Sequence, residues 1–194
     1  MWGDRISRLG RMGIFAVLTC VFLWKGAPTP IPTLLAALAL GGLTLLASLR
    51  RPERAEAARS FDMALVLAFL GAAFAALQAV RWNGNPFAHP IWHEAAALLG
   101  ASGEAISVHP AASLQAIPGF VAPFLLFSCV LAFFADDRSA RRLLRFLTVL
   151  GGLFALFGLV QISLLPRSLF LFEKVHYLGS LTGFWVNRNT AGTL

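Results

Sequence analysis

The chain has 194 residues, 58% of them hydrophobic and only 13% charged, with a mean hydropathy of +0.73. An ordinary soluble domain carries about 25% charged residues, so this chain lacks the polar surface of a soluble fold, and its apolar runs approach the roughly 20 residues that cross a bilayer. The net charge of +7 does not argue for a nucleic-acid partner, because the arginines sit in short clusters between apolar runs, as topology signals do.

Arg5, Arg8 and Arg11 precede the first apolar run, Met12 to Trp24. A secretory signal has this order, but Lys25-Gly26-Ala27 puts a lysine where cleavage wants a small residue, and a second apolar run follows at once. The run is therefore read as an uncleaved first span. It is short for a bilayer of about 30 Å, so either Arg11 and Lys25 snorkel or the helix begins near Ile6. A proline-rich connection, Gly26 to Pro32, leads to span two, about Ile31 to Leu49. Ala36, Ala37, Ala39, Gly41 and Gly42 there would let a neighbouring helix come close. After the basic connection Arg50 to Arg59, span three covers about Phe61 to Val80, with Gly71, Ala72, Ala73, Ala75 and Ala76. Arg81 and Trp82 mark its interface.

Arg81 to Pro110 is the longest polar segment. Pro90 suits a first helical turn. Ile91, Trp92, Ala95, Leu98 and Leu99 would then share one face, with His93 and Glu94 off it, which predicts a short helix in the headgroup plane. Span four follows His109-Pro110 and runs to about Phe134, with Pro118 and Pro123 expected to kink it. Asp136 and Asp137 open a charged turn through Arg145, where they are expected to cap span five and pair with Arg141 or Arg142. Span five covers about Leu143 to Leu165, with Gly151, Gly152 and Gly158 for close packing. Pro166 to Arg188 is a second polar connection, and a sixth span would begin near Asn189. No internal repeat is present. The fold expected is all-α: a single polytopic transmembrane helical bundle over residues 1–194, five spans plus the start of a sixth. Because the chain stops inside an apolar run, it is expected to be the N-terminal portion of a larger protein.

Eleven of the 16 arginines and lysines fall in the N-terminus and the second-to-third and fourth-to-fifth connections. The positive-inside rule keeps that side cytoplasmic. The N-terminus is then inside, and the two long polar connections are outside.

Cys20 and Cys129 lie inside apolar runs and read as packing residues. His89, His93 and His109 share a connection with Glu94 and Glu104, but without metal-ligand spacing, so no metal site is expected. Gln78 and Gln161 are polar groups near outer helix ends; they either bond a neighbouring helix or line a cavity. Arg188 runs against the charge trend, held between Asn187 and Asn189 at the start of a span. Two readings stand. The triplet is a helix cap with an interfacial anchor, or the guanidinium and the free N–H groups of the helix end hold an anion such as phosphate. Arg81 and Arg167 would lie on the same side and could join such a site.

The stretch from Gly179 to Gly192, GSLTGFWVNRNTAG, resembles the "G-x-x-x-G-x-F-x-N-x-N-x-x-A" segment of the O-antigen ligase and polymerase family. Trp185 takes the aromatic slot, and Phe184 sits one place early. The basic turn Arg138 to Arg145, the glycine-rich span ending Gly158-Leu159-Val160-Gln161, and the approach Ile106 to Ala112 are similar too. The resemblance covers mainly residues 106–194.

It implies an integral-membrane glycosyltransferase of about a dozen helices in the bacterial inner membrane. Such a protein moves a glycan from an undecaprenyl-diphosphate carrier to a lipopolysaccharide core, polysaccharide or protein acceptor, without metal or nucleotide cofactor. By position, Arg188, flanked by Asn187 and Asn189, matches a diphosphate contact, with Arg81 and Arg167 as additional candidates. The histidine thought to activate the acceptor would lie beyond residue 194. The other classes considered are a transporter fragment, which wants mid-membrane charges and interrupted helices, and a non-catalytic membrane protein.

Overall fold

The computed structural model describes residues 2–24, 30–49, 52–100, 103–164, 168–169 and 172–173. These form six helices: α1 (Trp2–Leu23), α2 (Pro30–Ser48), α3 (Ala55–Ala79), α4 (Ile91–Leu99), α5 (Pro110–Phe133) and α6 (Asp137–Leu164). A two-residue antiparallel pair, β1 (Ser168–Leu169) with β2 (Phe172–Glu173), adds a short stretch of extended chain to the helices. All the helices but α4 are long and apolar enough to cross a membrane.

The helix limits follow local chemistry. Pro30 and Pro110 sit in the first turns of α2 and α5, where a missing N–H costs nothing. Gly100, at φ 62°, ends α4 with its N–H on the Ala96 carbonyl. Three helices begin earlier than their apolar runs: α1 at Trp2, α3 at Ala55 and α6 at Asp137. The first turns of α3 and α6 hold Arg, Glu and Ala, good helix formers that hydropathy does not register, and that of α1 holds Asp4 and Arg5. Helix α5 runs unbroken through Pro118 and Pro123.

Helix α5 is central, packing on α3, α2 and α1. Thr44 of α2 meets it at the Leu125 carbonyl (3.5 Å) and at Cys129 Sγ (3.3 Å). Helix α6 docks on α1 through Phe15–Phe146 (4.5 Å between centroids) and Phe22–Phe154 (5.1 Å). Both contacts advance together, so α1 and α6 run parallel. Helix α3 is antiparallel to α5, with Gly71 against Phe120 and the Gln78 carbonyl accepting from Ser107 N. The long helices therefore alternate in direction along the chain. The start of α1 and the α2–α3 and α5–α6 connections gather at one end, the arginine-rich end. The buried cluster of Ile14, Ala47, Phe61, Cys129, Phe133 and Phe134 lies toward that end. Elsewhere large apolar side chains face outward, Leu45 and Phe69 both more than 70% exposed, the reverse of a water-soluble bundle.

Close helix approach falls on some of the expected glycines and on others not expected: Gly71 is packed against and Gly158 is buried, as expected, whereas Gly10 and Gly13 were not named. The Phe133 ring covers Gly10, Leu43 covers Gly13 and Phe120 covers Gly71. Gly41, Gly42, Gly151 and Gly152 face open space among the described residues. Small residues permit close packing; which of them is used depends on where a partner's bulky side chain arrives, here Phe120 and Phe133 of α5 and Leu43 of α2.

Candidate functional site

Of the expected anion-binding residues, Arg81 is described; Asn187, Arg188, Asn189 and Arg167 lie outside the described residues. Arg81 belongs to a folded cap over the ends of α3 and α5. At Val80 the backbone leaves the helix and becomes extended. Trp82 then pairs with Glu104, each N–H on the other's carbonyl at 3.1 and 3.2 Å. The pairing closes a long loop, so its ends need support from side chains. Asn85 supplies it. Its buried amide donates to the Glu104 carbonyl (3.4 Å) and accepts from Phe87 N (3.0 Å), forming a turn before Pro86 that places α4. His89 N then reaches the fully buried Ala105 carbonyl.

Helix α4 is more than an interfacial strip. Its expected apolar face divides: Trp92 and Ala95 turn half-buried toward the cap, while Ile91 and Leu98 are exposed. Pro90 is the N-cap residue and not the first helical residue. Trp92 Nε1 donates to the Ser107 carbonyl (3.2 Å), and the Arg81 guanidinium lies over its ring at 4.4 Å. Gly103 makes room for Arg81: at φ 82° it has no side chain, and a Cβ would come within 3.2 Å of Arg81 Cβ.

The three histidines of the segment have local roles. His109 caps α5, its Nδ1 accepting from Ala112 N at 3.1 Å, as expected of a residue before proline. His89 Nδ1 accepts from Ile91 N at 3.3 Å. His93 Nδ1 lies 3.2 Å from Glu104 Oε1, with His93 largely exposed. No group of three or more His, Cys, Asp or Glu that could hold a metal occurs among the described residues. Gln161 is fully buried in α6 and engaged there. The Gln78 backbone carbonyl, rather than any side-chain signal, ties α3 to the cap.

The cap's chemistry is that of a held cation. The indole occupies one face of the Arg81 guanidinium, and the N–H edges of a planar guanidinium can bind an oxyanion bidentately. The Glu104 carboxylate is engaged with His93 instead. Among the described residues Arg81 is the one arginine or lysine at this end.

The arginine-rich end holds a second feature, one with no local sequence signal. An open cavity of about 820 Å³ lies between α1, the α2–α3 connection and the α5–α6 turn, lined by Arg11, Arg54, Arg138 and Arg142. The turn itself is fixed by Asp136, which accepts from Ser139 N (2.9 Å) and Ser139 Oγ (2.7 Å). Asp136 thus caps α6 as expected, but through Ser139 rather than by pairing with Arg141 or Arg142.

Comparison with protein-family models, curated proteins and solved structures found no match to this chain.

Proposed function

We propose that this chain is the N-terminal portion of a membrane glycosyltransferase of the O-antigen ligase type. In this reading it lies in the bacterial inner membrane with its arginine-rich end in the cytoplasm and its cap outside. It holds the diphosphate of an undecaprenyl-diphosphate-linked glycan for transfer to a lipopolysaccharide core or polysaccharide acceptor. The observation that carries the reading is where the chain leads. Helix α6 runs parallel to α1 and away from the arginine-rich end, so its last residue, Leu164, lies toward the end where Arg81 is held over Trp92. Arg188 and Arg81 would then grip one diphosphate from two sides, stabilising the charge that builds on the leaving group as the glycosidic bond breaks. The charge distribution supports this orientation, since the side carrying most arginines stays inside.

The test is glycan transfer from the lipid-linked donor in membranes carrying the protein expressed from its complete reading frame. Arg188→Ala is expected to lower transfer by about 10²-fold or more, the scale for loss of a preorganised charge-stabilising donor, with membrane insertion intact. Normal transfer by that variant would remove the assignment.

A further inference from the structure

The arginines of the opposite end carry an inference independent of glycan transfer. Topology alone requires only that they be on one side; it does not require them to surround a common space. Here Arg11 of α1, Arg54 before α3, and Arg138 and Arg142 of α6 line one cavity of about 820 Å³. Arg8 joins Arg11 and Arg142 around an adjoining hollow. The acids on the cavity wall are Asp4, Glu53 and Asp136. Asp136 is already held by Ser139, and Asp4 is engaged as well. The four arginines outnumber these three acids by one, so the wall keeps a net positive charge, although Arg11 also reaches the Phe133 carbonyl at 3.5 Å.

The cavity does not stop at the polar rim. Its wall includes Ala57 of α3 and Val130 and Leu131 of α5. One turn further along the same two helices begins an apolar groove of about 360 Å³, lined by Ser60, Met63, Ala64 and Leu67 on one side and Pro123, Phe124 and Phe127 on the other. Ala57, Ser60, Ala64 and Leu67 follow the helical i, i+3, i+7, i+10 spacing, so cavity and groove share one face of α3. A basic cavity with an apolar groove one turn away on the same face of α3 matches a molecule with a phosphate head and a hydrocarbon tail. Basic pockets at helix ends take anionic lipid headgroups for this reason.

We propose that this is a binding site for an anionic phospholipid, its phosphate among Arg11, Arg54, Arg138 and Arg142 and one acyl chain in the groove between α3 and α5.

The test titrates the purified chain in neutral detergent with dioleoyl phosphatidylglycerol, dioleoyl phosphatidylcholine or inorganic phosphate, reading bound ligand by native mass spectrometry. Phosphatidylglycerol should be retained and phosphatidylcholine should not. The double variant R11Q/R142Q should weaken phosphatidylglycerol binding by roughly thirtyfold, equivalent to about 1 kcal/mol for each arginine. R59Q removes the same charge from an exposed arginine of α3 that does not line the cavity, and should leave binding near the unsubstituted value. S60F, which fills the groove and keeps every arginine, should weaken the lipid and keeps the test decisive if the arginine pair fails to fold. Equal retention of phosphatidylcholine, or a loss from R59Q as large as that from R11Q/R142Q, would overturn the site. Displacement of the lipid by inorganic phosphate together with an inert S60F would instead mark a free-phosphate site and overturn the lipid assignment.

Discussion

The guanidinium of Arg81 lies 4.4 Å from the centre of the Trp92 ring, and the same indole donates its N–H to the Ser107 carbonyl at 3.2 Å. One side chain therefore both orients the cation and ties α4 to the start of α5. Trp92→Phe keeps a ring for Arg81 and loses the hydrogen bond; Trp92→Ala loses both. With a hydrogen bond at about 1 kcal/mol and an exposed cation–π contact at about 0.5–1 kcal/mol, the expected losses are about 1 and about 2 kcal/mol. Unfolding free energies in mixed detergent micelles check this; equal losses would show that the ring does not hold the arginine.

The contact of Phe133 with Gly10 makes a sharper test of packing. Phe133 is 2% exposed in the buried cluster near the arginine-rich end, so its ring has little room to move when a methyl group appears on Gly10. Gly10→Ala is expected to cost about 1–3 kcal/mol, the range for overpacking a core. Gly42→Ala meets no neighbour among the described residues, and is expected to be neutral or to stabilise by up to about 1 kcal/mol through helix propensity. Thermal unfolding of the two variants should move in opposite directions or in clearly unequal amounts.

The α5–α6 turn gives a pH prediction. Hydrogen bonds from the Ser139 side chain and then its backbone N–H, assisted by the nearby Arg11 charge, hold the Asp136 carboxyl below its ordinary value. A carboxyl with a depressed folded-state value adds stability that is full above its unfolded-state value and disappears as pH falls through the folded one. Stability should therefore be insensitive to this group at neutral pH and decline in strong acid. Asp136→Asn should remove that part of the acid dependence and lower stability at pH 7. An unchanged acid limb in Asp136→Asn would refute the turn's role.

Much of the bundle was legible in the sequence, because hydropathy reports directly on apolar helix segments. The ends of α2 and α5 were marked by Pro30, Pro110 and the residues around Phe134. The starts of α1 and α3 lie before their apolar runs, since polar residues such as Arg5, Arg8 and Glu56 continue a helix without making it apolar, whereas Asp136 and Asp137 did mark the start of α6. The cap's fold was not legible. Trp82 and Glu104 are far apart in sequence, and nothing local announces that they pair. Trp92 was assigned to an apolar face because periodicity cannot tell a ring that faces lipid from one that supports an arginine. The arginine cavity was invisible for the same reason: each cluster reads as a topology signal alone, and only packing brings three of them around one space.

Arg81→Ala offers a graded functional check. If Arg81 and Arg188 share one diphosphate, Arg81→Ala should lower glycan transfer by about tenfold to 10²-fold, less than Arg188→Ala, and Arg81→Lys should recover part of it, since lysine keeps the charge but not the planar fork. Full transfer by Arg81→Ala would confine the anion site to the segment after α6.

Whether the cap lies outside the cell decides between a site for a lipid-linked donor and an ordinary cytoplasmic loop. Single cysteines at Asn83, Arg188, Arg54 and Arg141, in a background without Cys20 and Cys129, can be exposed in whole cells to a thiol reagent that does not cross membranes. Labelling at 83 and 188, with 54 and 141 protected until the cells are opened, is the expected result; labelling at 54 and 141 with 83 and 188 protected would invert the protein and contradict the proposed transfer.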